Sequence, residues 1–303
     1  MHAIETHDLT KRFGSRTAVT DLDLAVPEGA AYGFLGPNGA GKSTTIAMLL
    51  DLVRPDAGTA RVLGHDVRAD PLAVRESVGV VPERFGLFPR LTAREHLRFV
   101  IEHRQSDATP ASLLDRVGLA DAADRRTRGF STGMAQRLRL AMALAAEPPV
   151  LILDEPGAGL DPGGIDRLND IIADVHARGT TIFCSSHRLD QIAAVCDRVG
   201  ILVDGRLRAS EPIDGPTCAV LRAELRSPDP SLAELAADDP ATTGPPVYTG
   251  TSGRTLEIGV TAPAAGAGLA ELLREHVAVA GVSTERVPLA DRYRAVVEGD
   301  RCA

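Results

Sequence analysis

Long apolar runs are missing from this chain of 303 residues, and none approaches the roughly 20 residues that a membrane-spanning helix needs. The first ten residues carry charges and lack an apolar block, so no export signal is expected. Cysteine is scarce: Cys184, Cys196, Cys218 and Cys302 show neither a C-x-x-C spacing nor matched histidines. This excludes a zinc site readable from spacing and points to free thiols in a reducing cytosol. Basic excess is lacking too, since a formal net charge of −8 argues against a large nucleic-acid footprint. Lysine is almost absent, with Lys11 and Lys42 alone among arginines, which makes Lys42 conspicuous. There is no internal repeat, and no sustained heptad pattern interrupts Lys42 to Asp154.

What is present is a chain of 44% hydrophobic content, enough for one full domain and a smaller second one. "AAYGFLG" (residues 30–36) reads as a strand entering a glycine-rich turn, and "TTIAMLLDLV" (44–53) as the helix after it. "VLILDEP" (150–156) and "TTIFCSS" (180–186) are short continuous apolar runs, the pattern of buried parallel strands. Between them "GGIDRLNDIIADVHARG" has a helical pattern ended by Gly179. Strand, helix and strand in that order predict a β-α-β unit and an α/β fold with a parallel sheet. A helical insert over about residues 90–145 separates the two strand groups. In it Thr92 and Glu95 make the capping-box pattern T-x-x-E, and Pro110 opens a second helix.

The character changes near Glu211, which predicts domains at 1–210 and 211–303. "CAVLRAEL" reads as a strand and "PSLAELAAD" as a helix. "VYTG" and "TLEIGV" read as strands joined by Ser252 and Gly253, followed by the helix "GLAELLREHV", the strand "GVSTERV" and the helix "LADRYRAVV". The order β-α-β-β-α-β predicts a small α+β domain of ferredoxin-like type.

Three motifs carry chemistry. "GPNGAGKST" fits the P-loop pattern G-x-x-x-x-G-K-[ST] and lies between a predicted strand and a predicted helix. Its residues, Gly36, Pro37, Asn38, Gly39, Ala40, Gly41, Lys42, Ser43 and Thr44, should turn backbone N–H groups inward around an anion, at a helix N-terminus. Lys42 should reach the β- and γ-phosphates of a nucleotide, and the Ser43 hydroxyl should ligate Mg²⁺. The apolar strand of "VLILDEP" delivers Asp154 and Glu155 together, the first suited to hold Mg²⁺ and the second to polarise an attacking water. "FSTGMAQRLRL" opens a helix with Ser131 and Thr132, both good caps, yet places Gly133 where a better helix former would serve a cap alone.

With that third motif the chain resembles the ATP-binding cassette ATPases, the nucleotide-binding subunits of ABC transporters. Their signature L-S-G-G-Q corresponds to Phe130, Ser131, Thr132, Gly133 and Met134; the serine and second glycine are kept. The resemblance covers roughly the first two-thirds of the chain. It implies that Phe13 stacks on adenine, that Asp161 in "GLDP" contacts a facing subunit, and that His187 contacts the γ-phosphate. It also implies two cassettes meeting head to tail, with each ATP between one subunit's phosphate loop and the other's Ser131, Thr132 and Gly133. Two positions depart from the family. Glu83 stands where a glutamine is usual; a carboxylate there can still ligate Mg²⁺ but adds negative charge beside the phosphates. Gly157 stands where many relatives carry threonine or serine, with the expected loss of one hydrogen bond.

The implied function is an ATPase subunit whose dimer closes on two ATP molecules and drives a separate permease, from the cytoplasmic face of the membrane. "VPERFGLFPRLTAREHL", "FSTGMAQRL" and the ending "VPLADRYRAVVEG", with Ala290 in place of a glutamate, are similar to the drug- and sodium-exporter branch. All ATP-site elements occur in this one chain, which suits a homodimer. The other class is a cassette ATPase acting on DNA or ribosomes; the single phosphate loop, the uninterrupted cassette and the acidic charge point away from it. Residues 211–303 read either as a dimer-stabilising appendage or as a ligand sensor.

Overall fold

The structure, a computed structural model, describes residues 1–83, 86–213, 219–227, 229–239, 242, 246–249, 254–260, 265–276 and 278–298. Cys218, Cys302 and the turn at Ser252 and Gly253 lie outside the described residues. The chain divides into two compact units, Met1–Ser210 and Glu211–Ala303.

The first unit begins with two long strands, β1 (His2–Phe13) and β2 (Arg16–Pro27), then β3 (Ala31–Leu35) and α1 (Lys42–Leu49). Next come β4 (Ala57–Val62), β5 (His65–Asp66), α2 (Pro71–Ser77) and β6 (Val78–Val81). Helices α3 (Ala93–Arg104), α4 (Pro110–Arg116) and α5 (Thr132–Ala143) follow as the helical insert. The chain returns through β7 (Val150–Asp154), α6 (Pro162–Ala177), β8 (Thr181–Ser186), α7 (Leu189–Val195), β9 (Arg198–Val203) and β10 (Arg206–Pro212).

These strands form two sheets, β2-β1-β4-β5 and β10-β9-β3-β8-β7-β6. In the second, β9, β3, β8, β7 and β6 pair in parallel, so the loops leaving their C-terminal ends meet on one edge. Every residue of β3, β7 and β8 is buried, which is why their sequences are rich in apolar residues; the polar ones, Asp154, Thr181, Ser185 and Ser186, lie at strand ends. The scarce aromatic residues concentrate here: the Phe183 ring stands 6.0 Å from Tyr32 and 5.3 Å from Phe34, centre to centre. Burial pushes the Tyr32 hydroxyl up to about 12, against the lowering effect of its bond with Ser210. Cys184 and Cys196 are free; burial raises both thiols, and the Asp154 and Glu155 charges add to the effect on Cys184.

In the insert, Thr92 Oγ1 accepts from the Glu95 N–H and the Glu95 carboxylate accepts from the Thr92 N–H, the reciprocal capping read from the sequence. The helix expected at residues 44–53 runs instead from Lys42 to Leu49. It starts early because Gly41, at φ 111°, turns the chain so that Lys42 and Ser43 already lie in the first turn. It ends early because Asp51 is left-handed at φ 51°, and the Leu52 and Val53 N–H groups fold back to the Ala47 carbonyl.

The second unit contains β11 (Ala219–Leu225), α8 (Pro230–Ala237), β12 (Val247–Thr249), β13 (Thr255–Val260), α9 (Ala265–Glu275), β14 (Val279–Arg286) and α10 (Leu289–Glu298). Its sheet runs β12-β13-β11-β14, each pair antiparallel. Leu221, Ala223, Leu256, Ile258, Leu269 and Leu273 share its core. Arg292 on α10 is buried and donates to the Glu211 carboxylate at 2.7 Å and the Ile213 carbonyl at 2.6 Å.

Candidate active site

The phosphate loop joins β3 to α1, and two of its glycines carry the turn: Gly39 at φ 82° and Gly41 at φ 111°. Lys42 is buried at 6% exposure, folded back so that its ammonium donates to the Gly36 carbonyl at 2.7 Å and the Pro37 carbonyl at 3.3 Å. The same Nζ lies 3.2 Å from Glu155 Oε1. Ala40 is buried within the loop. Ser43 Oγ donates to Asp154 Oδ1 at 3.2 Å, which joins the first turn of α1 to the end of β7.

Glu155 follows β7 in a left-handed backbone conformation, φ 48°, a state that costs a non-glycine residue about 1 kcal/mol. Its N–H is held by the Ser185 carbonyl at 3.1 Å and the Ser185 hydroxyl at 3.2 Å. The turn aims its carboxylate back at the phosphate loop, where Oε2 accepts from His187 Nδ1 at 2.8 Å. Among the described residues, buried Oε1 receives no hydrogen bond and is balanced by the Lys42 charge. Lys42, Glu155 and His187 thus hold one another.

These groups line a cleft of about 590 Å³, large enough for a nucleotide. Phe13, Asn38, Gly39, Gly41, Lys42, Ser43, Thr44, Glu83, Glu155 and His187 all face it. Phe13 is half exposed at the end of β1, with the Lys11 ammonium 5.3 Å from its ring centre. A strand aromatic serving only the core would be buried. Asp154 sits beneath, 6% exposed.

Four of the sequence-read residues are elsewhere. Ser131, Thr132, Gly133 and Asp161 line a second concavity, together with Arg137 and Arg167. Ser131 caps α5, its hydroxyl accepting from the Met134 N–H at 3.2 Å. Asp161 stands at the N-cap of α6 yet makes no side-chain cap bond. Around Gly133 there is space: a Cβ built there would meet nothing nearer than Leu160 Cδ2 at 3.8 Å. The packing of its own chain does not require a glycine at this position.

Residues outside the three motifs also line the cleft or hold its walls. Ser185 is fully buried and donates to Asp154 Oδ1 at 2.5 Å while accepting from Glu155, so it fixes both carboxylates. The only sign of it in the sequence is a polar residue at the end of an apolar strand. Arg16 lines the cleft and donates to the Gly39 carbonyl at 3.2 Å. Gly157 does more than omit a hydrogen bond: a Cβ there would fall 2.8 Å from Gln191 Nε2, so the Gln191 amide fills that space.

The residues fit a magnesium nucleotide. Among the described residues no group of three or more His, Cys, Asp or Glu side chains is placed to hold a metal by itself. The paired oxygens of Ser43 and Asp154 suit a Mg²⁺ ion that arrives with phosphate oxygens as its remaining ligands. Among the described residues, no helix is long and apolar enough to cross a membrane.

A family model described as ABC transporter matches residues 19–158. The daunorubicin/doxorubicin resistance ATP-binding protein DrrA of Streptomyces peucetius is 36% identical over 304 residues, 97% of this chain and 92% of that protein. The bacitracin transport ATP-binding protein BcrA of Bacillus licheniformis is 41% identical over 215 residues, 70% of each. Among solved structures, an ATP-binding subunit of an ABC transporter superposes with a TM-score of 0.63 at 31% identity, over 70% of this chain and 90% of that one. A dimeric cassette in a post-hydrolysis state with ADP and Pi shares the fold, with a TM-score of 0.64 at 23% identity over 70% of this chain and 99% of that one. This chain belongs to the ABC transporter family, as an ATP-binding, ATP-hydrolysing subunit that uses Mg²⁺ and works with a separate membrane permease.

Proposed function

We propose that the protein powers an exporter, as a homodimer in which each ATP lies between the cleft of one copy and the Ser131–Gly133 concavity of the other. The observation that carries this reading is the division of the sequence-read residues between two concavities, with Gly133 unneeded by its own packing. A glycine beside a helix N-terminus permits close approach of a phosphate, and the helix end favours its charge. The names of DrrA and BcrA support a role in drug resistance and transport. The dimer works at the cytoplasmic face of the membrane, held there by the permease; among the described residues no helix is long and apolar enough to cross a membrane. DNA and RNA have no part in it, in keeping with the acidic charge.

Phe13 stacks on adenine, and the loop N–H groups of residues 36–44 with Lys42 hold the phosphates. Ser43, Asp154 and Glu83 would hold Mg²⁺, which when bound neutralises phosphate charge. Glu155 takes a proton from the attacking water as its oxygen bonds to the γ-phosphorus. The bond to the β-phosphate oxygen breaks, and ADP leaves with those electrons. His187 keeps the Glu155 carboxylate oriented through its Nδ1 hydrogen bond and contacts the γ-phosphate. Asp161 contacts the facing copy. Residues 211–303 are an accessory domain that stabilises the dimer, and the β12-β13-β11-β14 order of its antiparallel sheet supports its ferredoxin-like type.

Glu155→Gln is the direct test. It keeps the shape and removes the base, so ATP binding persists while turnover falls by about 10²-fold or more. Near-normal steady-state ATP hydrolysis by the variant would sink the assignment.

A further inference from the structure

Gln191 lies on the first turn of α7 and is 2% exposed. Its Oε1 accepts from the Ser186 hydroxyl at 3.1 Å, and that hydroxyl accepts from the Arg188 N–H at 3.0 Å. Its Nε2 is buried and has no hydrogen-bond partner among the described residues. A donor kept dry without an acceptor is destabilising, and a methionine would fill the same volume without that penalty. Packing alone does not explain an amide here.

The other side of the carboxamide lies against Gly157. A Cβ at that position would stand 2.8 Å from Nε2, 2.9 Å from Oε1 and 3.1 Å from Cδ. Gly157 is not among the residues with positive φ, so its backbone suits any amino acid. What excludes a side chain is the Gln191 amide itself.

The two segments it touches carry the two side chains that meet in the cleft. Ser186 immediately precedes His187, and Gly157 lies two residues beyond Glu155. The Ser186 carbonyl also accepts from Gly36 N, the first residue of the phosphate loop, at 3.3 Å. We infer that Gln191 is a positioning residue for ATP hydrolysis, holding the loop after Glu155 against the strand end before His187 and so fixing the base relative to the imidazole. The inference rests on the roles proposed for Glu155 and His187.

Gln191→Met keeps the volume against Gly157 and loses the acceptor for Ser186. In the full-length protein it lowers kcat about tenfold, with KM for ATP and the thermal midpoint little changed, as expected when reacting groups are misplaced by a fraction of an ångström. Ser186→Ala gives the same loss, and combining the two gives no more. Gly157→Ala, one methyl larger, lowers kcat in the wild-type background and leaves it unchanged in a Gln191→Ala background, where the amide is gone. Wild-type kcat in Gln191→Met, a loss that only follows the thermal midpoint, or an equal effect of Gly157→Ala in both backgrounds overturns the inference. Glu155→Gln is measured alongside. If it still turns over ATP, the reading of the site fails; if it is inactive while Gln191→Met is normal, only the role of Gln191 falls.

Discussion

In the cleft, Lys42, Glu155 and His187 already satisfy one another within a single chain, whereas at Gly133 the chain leaves open space against its own helix end. The first arrangement is self-contained: a bound phosphate has to displace a carboxylate from the lysine. The second contributes nothing to its own unit that an alanine would not. The difference teaches that stability and activity should separate at one half of the site and stay joined at the other.

The largest effect should come from breaking each half in turn. Lys42→Ala abolishes turnover and also destabilises by about 3 kcal/mol, because it strips the partner from the buried Glu155 carboxylate. Gly133→Asp should also lower turnover about 10²-fold, by setting a negative charge where the partner's γ-phosphate approaches. Its stability stays within about 0.5 kcal/mol of wild type, since the space is open and an acidic residue suits the first turn of a helix. Mixing the two inactive proteins then sharpens the comparison. A mixed dimer has one intact composite site, so ATPase activity returns; no recovery on mixing would place the whole site in one chain.

A smaller effect is expected at the adenine end. Phe13→Ala should weaken ATP binding about fivefold, roughly 1 kcal/mol of lost stacking, with kcat at saturation and stability unchanged because the ring is half exposed. Titrating both variants of the previous test with a fluorescent ATP analogue puts all three on one scale.

The smallest effect at neutral pH serves as a reference, since it touches neither half. Tyr32 holds its proton up to about 12 in the folded chain, while an unfolded tyrosine releases it near 10. Between those values the folded state binds more protons, so stability falls as pH rises, by up to about 1.4 kcal/mol per unit. Cys184 and Cys196 act in the same direction from a lower pH, since burial raises both thiols. Urea melts of wild type and Tyr32→Phe across this range should diverge in slope.

Much of the cassette is legible in the sequence because its signals are local. The apolar runs of β3, β7 and β8 need no knowledge of partners, and neither does the Thr92–Glu95 cap. What the sequence hides depends on contact between segments far apart. The start of α1 is set by a left-handed glycine, and its end by a left-handed Asp51 that periodicity does not register. Ser185 matters through bonds to Asp154 and Glu155, thirty-one and thirty residues away. Gly157 looks like a simple deletion until Gln191 is seen in the vacant volume. In the second unit, the chain order of elements is readable, but the placing of β13 between β12 and β11 is a property of the sheet.

The scarcity of lysine has a practical consequence. The chain has two ε-amines, and both relate to one cleft: Lys42 lines it in the phosphate loop, and Lys11 lies beside the ring of Phe13, which lines it too. Lys42 is buried and ion-paired, and Lys11 is tied to Asp56 at 3.2 Å, so both react slowly with amine-directed reagents. Apart from the N-terminus, stable acylation of amines on this chain can therefore fall only on these two lysines, one beside the Phe13 ring and one in the phosphate loop.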